Sequence, residues 1–213
     1  MTPRESPARR RILDAAAEMF YARGIRGVGM DTIIAASGVA KATLYAHFPT
    51  KDDLVLAYLA RADSAWQGKL RAAAATAGPD PREQLVGLFG ALEEACARTG
   101  FRGCAFINTA AESAPGSVVN GATVAHKRAV RQWISELATQ AGAGDPPALA
   151  RALTVLLDGG LASGALEPNP DIPEQARRAA RTLVDAACAK PARPTWPGPS
   201  PVPNRSQGAH HDR

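Results

Sequence analysis

Apolar residues recur every three to four positions along most of the chain, the spacing that places them on one face of an α-helix. Alternating β-branched runs bounded by turn residues, the pattern of a half-buried strand, do not occur. Segments rich in Pro, Gly and Ser interrupt the helical pattern and mark where helices end. The sequence therefore predicts an all-α protein of about nine helices, at residues 8–23, 30–36, 40–47, 51–76, 81–99, 104–112, 117–141, 147–166 and 173–189.

The segment SGVAKATLYAHF, residues 37–48, predicts a tight turn followed by a short helix. Three residues with a central Gly join the second and third helices, which is typical of a helix-turn-helix motif whose second helix enters the major groove of DNA. Four apolar residues are spaced to pack this unit against the first helix: Ile33, Val39, Leu44 and Phe48. The alternative is an ordinary helical hairpin with a solvated polar face.

The side chains on the outer face of the third helix have chemistry that suits DNA. Lys, Tyr and His donors can reach phosphate oxygens, whereas a Thr hydroxyl and methyl group can meet base edges. The basic N-terminal arm from Arg4 onward follows the phosphate backbone or the minor groove, or it only solvates the start of the first helix. The predicted DNA-binding residues are Arg10, Lys41, Ala42, Thr43, Tyr45, His47 and Lys51.

Residues 8–55 resemble the DNA-binding segment of the TetR family of bacterial transcriptional repressors. The resemblance rests on FYARG at 20–24, Ile33, SGV at 37–39, TLYAHFPTK at 43–51 and Leu54. It implies an N-terminal three-helix DNA-binding unit followed by a C-terminal helical domain for ligand binding and dimerisation. By this resemblance, the positions that touch operator DNA in the family are occupied by Thr43, Tyr45, His47 and Lys51.

Some residues depart from the family pattern. Gly29 and Ala40 stand where Ser or Thr commonly caps the second and third helices, and Ala in place of such a cap costs about 1 kcal/mol. Ala42 and Ala46 offer only methyl groups to base edges. DNA shape and contact with thymine methyl groups are therefore expected to carry part of the sequence specificity.

Charge is distributed unevenly along the 213 residues, whose net charge is +5. Residues 1–61 carry 9 Lys or Arg against 6 Asp or Glu, and residues 190–213 carry 4 against 1. The positive N-terminal segment suits a phosphate-bearing partner. Residues 191–213 contain six prolines without periodicity, so a disordered tail is predicted there.

Other classes of protein find little support in the sequence. No apolar run approaches the ~20 residues of a membrane span, and the arginine-rich start is unlike a signal peptide, so a cytoplasmic location without membrane contact is expected. Enzyme motifs such as a Gly-rich phosphate loop are absent, and no catalytic residue, cofactor or metal is predicted. Cys96, Cys104 and Cys188 are widely spaced, and each is expected to be a small buried side chain, with a redox-sensing thiol as the alternative.

A single helix-turn-helix makes too few contacts for useful affinity, so a second copy is expected. A homodimer supplies it and reads a roughly palindromic operator with half-sites about one helical turn, or a multiple, apart. The family resemblance supports a four-helix bundle of the last two helices of each subunit. The predicted dimer contacts are Leu153, Leu157, Gly160, Gly164, Ala180 and Leu183. The alternative is that these stripes pack within one subunit.

The predicted helices between residues 51 and 141 are expected to enclose a largely apolar effector pocket with a few polar groups. Asn108 and Glu112 lie four apart, on one face of one helix. If Glu112 is buried without a protein partner, a cationic ligand is favoured; if Glu112 lies at the surface, it says nothing about the ligand. His126 either binds the ligand or is an ordinary interhelical or exposed histidine. The predicted ligand-binding residues are Trp66, Leu92, Cys96, Phe106, Asn108, Glu112, His126, Val130 and Trp133.

These features predict three segments: a DNA-binding domain at 1–50 with its basic arm, a ligand-binding and dimerisation domain at 51–189, and the tail at 190–213. The predicted function is a ligand-responsive repressor that binds double-stranded operator DNA as a homodimer. The resemblance implies that a small molecule shifts the helix beginning at Lys51 and separates the two recognition helices. The alternative is a constitutive DNA-binding regulator whose C-terminal half only dimerises.

Overall fold

The computed structural model describes residues 6–189, and all regular structure within them is α-helical. The all-α prediction is confirmed. The predicted tail and the arm residue Arg4 lie outside the described residues. The helices are α1 (Pro7–Arg23), α2 (Met30–Ser37), α3 (Lys41–His47), α4 (Lys51–Thr76), α5 (Pro81–Gly87), α6 (Gly90–Cys96), α7 (Ala105–Glu112), α8 (Val118–Gln140), α9 (Pro146–Leu166) and α10 (Asp171–Ala187).

The helix expected over residues 81–99 is interrupted, and α5 and α6 take its place. Around Leu88 and Phe89 the backbone tightens to i→i−3 hydrogen bonds, with Phe89 N donating to Val86 O at 3.2 Å. A Cβ at Gly87 would lie 2.5 Å from the Cβ of Ala77, so the glycine permits a close approach between α5 and the end of α4. Gly also weakens a helix, which explains why the break falls here.

Helices α1, α2 and α3 enclose an apolar centre that rests on α4. Ile33, Leu44 and Phe48 are at most 2% exposed, and Val39 is buried beside them, as predicted. Fully burying each large apolar side chain contributes about 1.5–3 kcal/mol. Because Leu44 of α3 is buried in this apolar centre, the opposite face of α3 is directed away from the core.

Helix α4 begins with a reciprocal cap that fixes its position relative to α3. The Asp53 N–H donates to Thr50 Oγ1 at 3.1 Å, and the Thr50 N–H donates to Asp53 Oδ2 at 2.9 Å. This capping box satisfies two of the free donors at the helix start. Further along, Tyr58 packs its ring 5.7 Å from that of Phe20 on α1, and burial raises the pKa of the Tyr58 phenol. The Tyr58 ring thus packs α4 against α1.

The residues predicted as the dimer seam require a correction. Leu153 and Ala180 are fully buried within the subunit, Leu157 is 2% exposed, and Gly160 and Gly164 are buried as well. The two glycines lie against Leu92 and Cys96 of α6, so their small size serves packing of α9 on α6 in the same chain. Leu183 is half-buried against the core. These stripes have little surface left for a partner subunit.

Helix α9 is long and apolar enough, by length and composition alone, to cross a membrane. Its apolar residues Leu149, Leu153, Leu157 and Leu161 are instead buried against α8, α10 and α6. A helix in the core of a water-soluble protein has the same composition. This single helix is therefore no sign of a membrane protein.

Candidate functional site

The turn between α2 and α3 has the backbone geometry that a helix-turn-helix needs. Gly38 ends α2 in the left-handed region with φ of 63°, and its N–H donates to Ile34 O at 3.1 Å. This conformation costs other residues energy, which accounts for Gly at this position. Val39 then turns inward, and α3 starts at Lys41 with its polar side outward.

The outward side of α3 carries most of the predicted DNA-binding residues. Lys41, Ala42 and Tyr45 are exposed, whereas Thr43, His47 and Lys51 are partly exposed. Lys41 Nζ lies 3.4 Å from Asp31 Oδ1, but both side chains are more than half exposed. An exposed ion pair of this kind is weak and can be exchanged for a phosphate contact.

The basic start of α1 adjoins the end of α3. Ser6 Oγ caps α1 by accepting from the Arg9 N–H at 3.1 Å, and it also lies 3.2 Å from His47 Nε2. The Arg9 guanidinium lies over the Phe48 ring, 5.1 Å from its centroid, and Arg10 is exposed. His47 therefore also positions α3 on α1, a role that its sequence position did not indicate.

A cleft of about 730 Å3, which we call the first cleft, lies where α1, α4 and the loop from α6 to α7 meet. Its aromatic lining residues are Tyr21, Tyr58, Trp66, Phe101 and Phe106. Three charged lining residues are in ion pairs: Asp14 pairs with Arg61, and Lys69 pairs with Glu94, which lies outside the lining. Helix α1 thus contributes directly to the lining, together with residues of the C-terminal helices.

A second cleft of about 590 Å3 lies on the other side of the same loop. It is lined by the end of α1, by Asn108 and Glu112 on α7, and by the last turn of α9. Tyr21, Tyr58, Phe101 and Cys104 line both clefts. The loop from α6 to α7 therefore forms a shared wall.

Two hydrogen-bonded contacts fasten this wall to the DNA-binding unit. The Tyr21 hydroxyl donates to Gly103 O at 3.1 Å and accepts from the Arg102 N–H at 2.9 Å. The Glu112 carboxylate accepts from the Arg26 N–H at 2.7 Å. Gly24, with φ of 78°, permits this approach, since a Cβ there would lie 2.8 Å from the carboxyl carbon of Glu112. The Glu112 contact thereby joins α7 to the loop between α1 and α2.

The nine residues predicted to bind a ligand are divided among several places. Trp66 and Phe106 line the first cleft, and Asn108 and Glu112 line the second. Leu92, Cys96, Val130 and Trp133 line neither cleft. Leu92 and Cys96 face the glycines of α9, Val130 is in the core, and the Trp133 ring lies under the Arg71 guanidinium at 4.8 Å. His126 lies behind Phe106, with its ring stacked on the phenyl group.

Glu112 is neither buried without a partner nor a free surface residue, because its carboxylate accepts a hydrogen bond from the Arg26 N–H of the DNA-binding unit. The argument for a cationic ligand at this residue is thereby removed. The part of the lining that comes from α1, above all Tyr21, was not predicted. Tyr21 belongs to the FYARG motif, and nothing in that pattern distinguishes a cleft residue from a surface one.

The described part of the chain shows neither a metal-binding cluster nor a cysteine with a lowered pKa. No group of three or more His, Cys, Asp or Glu side chains within residues 6–189 is arranged to hold a metal ion. The three cysteines are free thiols, and burial raises the pKa of Cys96. A raised pKa disfavours the thiolate that redox chemistry uses.

Comparison with known proteins agrees with this geometry. The family model for bacterial regulatory proteins of the tetR family matches residues 12–58. A crystal structure of a TetR-family transcriptional regulator from Streptomyces coelicolor is 37% identical, with a TM-score of 0.79, and the match covers 85% of this chain and 96% of that one. The chain belongs to the TetR family. A putative TetR transcriptional regulator from Streptomyces avermitilis is 28% identical over 85% of this chain and 98% of its own, with a TM-score of 0.73.

The TetR-family DNA-binding segment has a further relative among characterised proteins. The transcriptional activator FasR of Mycolicibacterium smegmatis is 47% identical over 53 residues, which are 25% of this chain and 24% of that protein. The match therefore concerns one segment only. Like other members of the TetR family, the present protein is a DNA-binding transcriptional regulator and not an enzyme.

The uncapped start of the TetR-like recognition helix leads to a stability prediction. Ala40 occupies the N-cap of α3 with extended φ and ψ of −66° and 147°, and no side chain caps the helix. We expect Ala40→Ser to raise the free energy of unfolding by about 1 kcal/mol, because the hydroxyl can accept from a free N–H of the first turn. Urea unfolding at fixed protein concentration measures the change. Ala72→Ser, at an exposed interior position of α4, is the control and should be neutral or slightly destabilising.

The Tyr21 contact leads to a second stability prediction. Tyr21→Phe removes a hydroxyl that makes two hydrogen bonds to the loop from α6 to α7, and we expect it to lower the free energy of unfolding by about 1–2 kcal/mol. Tyr45→Phe is the matched control, because the Tyr45 hydroxyl has no hydrogen-bond partner among residues 6–189. Equal midpoints for the two variants in urea would show that the Tyr21 contact contributes nothing to stability.

Proposed function

We propose that the protein is a ligand-responsive transcriptional repressor that acts in the cytoplasm as a homodimer on a palindromic operator. The observation that carries the proposal is the first cleft, whose lining includes α1 of the DNA-binding unit as well as α4 and α7. A ligand that binds there contacts both parts of the chain. Its binding energy can therefore depend on how the DNA-binding unit is oriented.

The homodimer is supported by an exposed stripe on α9. Val155 and Leu166 are 69% and 82% exposed, and Gly159 and Ala162 between them are exposed as well. Spacings of four, three and four residues place all of them on one helix face. Such a stripe of apolar and small side chains is suited to a two-fold contact with the same stripe of a second subunit. It replaces the buried stripe of α9 as the proposed seam.

Release from DNA follows from linked equilibria. The ligand must bind the DNA-free orientation more tightly than the DNA-bound orientation, and the ratio of the two affinities equals the factor by which the ligand weakens DNA binding. Tyr21 and Glu112 are the contacts through which the loop from α6 to α7, and α7 itself, act on α1. A ligand that displaces these contacts allows the two recognition helices to change their separation, so that both no longer fit successive grooves.

Two other functions compete with this one. The name of FasR, an activator, favours activation at the operator, although that match covers only the DNA-binding segment. A constitutive regulator without an effector needs no cleft between its two parts. The size and aromatic lining of the first cleft therefore favour a ligand-responsive protein over a constitutive one.

The test is binding of the purified protein to the DNA upstream of its own coding region, with and without small molecules, together with transcription from that promoter in vitro. Specific binding that lowers transcription and is reversed by a compound is the expected result. Binding that raises transcription supports the activator. Binding that no compound reverses supports the constitutive regulator, and absence of specific binding contradicts all three.

A further inference from the structure

A buried imidazole behind the first cleft has one nitrogen without a partner. His126 on α8 is 4% exposed, and its Nδ1 forms a hydrogen bond with the carboxylate of Asp63 on α4. A carboxylate only accepts, so the proton of this bond is on Nδ1. Nε2 is buried and has no hydrogen-bond partner among residues 6–189.

This environment favours the neutral form of the imidazole. Burial lowers the pKa of His126, and this effect outweighs the opposing influence of Asp63. Lys127 lowers the pKa further and Asp158 raises it, but these two pair with each other. In the neutral ring with Nδ1 protonated, Nε2 is a bare acceptor. A buried acceptor without a donor is uncommon in folded proteins and is favourable to fill.

Phe106 lies between one face of this imidazole and the first cleft. Its ring stacks on the imidazole, with the centroids 3.4 Å apart and the planes within 5° of parallel. The same phenyl side chain lines the first cleft. Rotation of the Phe106 side chain would uncover this face of the imidazole, and a ligand group that extends past the ring edge would then meet the lone pair of Nε2, which lies in the ring plane.

We propose that His126 Nε2 accepts a hydrogen bond from the effector, and that the effector is an uncharged aromatic molecule with a phenolic hydroxyl. This inference rests on the proposed function and names the ligand class of the same cleft. The ligand displaces Phe106 from its stacked position, places its own ring among the aromatic side chains of the cleft and donates its hydroxyl proton to Nε2.

The charges and aromatic side chains of the cleft fit this class. Three of the five charged lining residues are engaged in ion pairs, Asp14 with Arg61, and Lys69 with Glu94 outside the lining, which leaves them less available to a charged ligand. The remaining two, Glu18 and Arg98, are exposed and of opposite sign. Trp66, Phe101 and Tyr21 offer faces and edges for stacking with an aromatic ring.

The same event also reaches the DNA-binding unit. Phe106 and Glu112 both belong to α7, and Glu112 binds the Arg26 N–H in the loop after α1. We expect insertion of the ligand between Phe106 and His126 to shift α7, the helix that carries this carboxylate. The proposed ligand therefore acts on α1 through α7 in addition to any direct contact with α1.

The experiment is titration calorimetry of the full-length protein, without DNA, using 2-naphthol, 2-methoxynaphthalene and 2-naphthoate. The three probes share the naphthalene ring system. 2-Naphthol carries a hydrogen-bond donor, 2-methoxynaphthalene carries no donor, and 2-naphthoate carries an anionic acceptor. We expect 2-naphthol to bind at least about fivefold more tightly than either other probe, the value of one additional hydrogen bond. The preference should disappear in His126→Phe, which keeps a stacking ring, and persist in Trp133→Phe, which changes an aromatic residue of α8 outside the cleft.

A direct readout on the unaltered protein is the 15N resonance of His126 Nε2, which should move from the position of a bare acceptor to that of a hydrogen-bonded one when 2-naphthol is added. Three results would overturn the proposal: no saturable binding of 2-naphthol, equal affinities of the probes, or an unmoved resonance. Preference for 2-naphthoate would also overturn it, because a charged imidazole would be indicated. Release of operator DNA is measured separately. Binding at Nε2 with the DNA complex intact contradicts only the repressor function, whereas release with an unmoved resonance contradicts only the His126 assignment.

Discussion

Replacing Tyr45 and Lys51 by Ala in the same chain is expected to weaken binding to every DNA sequence by about 10- to 100-fold at physiological salt. Tyr45 is exposed on the outer side of α3, and Lys51 begins α4 directly after the capped turn. Both side chains are predicted to contact phosphates, which position the protein on the duplex but carry no sequence information. Specific and non-specific complexes should therefore lose similar amounts of binding free energy.

The salt dependence distinguishes this explanation from a general loss of folding. Each phosphate neutralised by a cation contributes about 0.9 to the slope of log K against log salt, so loss of Lys51 from both subunits should lower the slope by about 2. Arg178→Ala removes the same charge from an exposed position on α10, a helix that does not pack against α3, and should leave both affinity and slope unchanged. An unchanged slope in the Tyr45 and Lys51 variant would mean that the DNA-binding face lies elsewhere.

Local rules predicted the N-terminal half well because its signals are carried by single residues. Gly38 specifies the turn by its left-handed conformation, and the Pro49–Thr50 pair followed by Asp53 specifies where α3 ends and α4 begins. The predicted and observed bounds of α4 are identical. Gly87 and Gly90 were not interpreted as a break between α5 and α6, because the close approach of Ala77 becomes visible only after the chain has folded.

Predictions about contacts between helices were less accurate, since a helical stripe does not specify its partner. Gly160 and Gly164 suggested close approach of two helices, but the helix they meet is α6 of the same chain. Trp66 and Trp133 both lie within amphipathic helical patterns, yet one lines the first cleft and the other lies under Arg71. The contribution of Tyr21 to the same cleft depends on how α1 crosses α4. Such relations are set by tertiary packing and leave no short-range pattern in the sequence.

Gly159→Glu is expected to convert the protein from a dimer to a monomer and to weaken operator binding by about 100-fold or more. The proposed two-fold seam brings this face of α9 against its own copy, so the substitution introduces two like charges into an apolar contact. Loss of the seam removes the second half-site from the same complex, and linked binding of two modules is worth 100-fold or more over one. Light scattering after size-exclusion chromatography should give a mass near the 22.2 kDa of one chain.

The folded subunit has room for the new side chain. A Cβ at Gly159 meets no atom within 4 Å, the position is exposed, and Glu has a higher helix propensity than Gly by about 0.5–1 kcal/mol. Gly68→Glu on α4 is the matched control, because Gly68 is also helical, exposed and free of neighbours within 4 Å. Dimerisation should persist in that variant. If Gly159→Glu remains a dimer with full operator affinity, the seam lies outside the exposed stripe of α9. If it becomes a monomer with unchanged affinity, one recognition helix is sufficient and the two-fold model of operator binding is wrong.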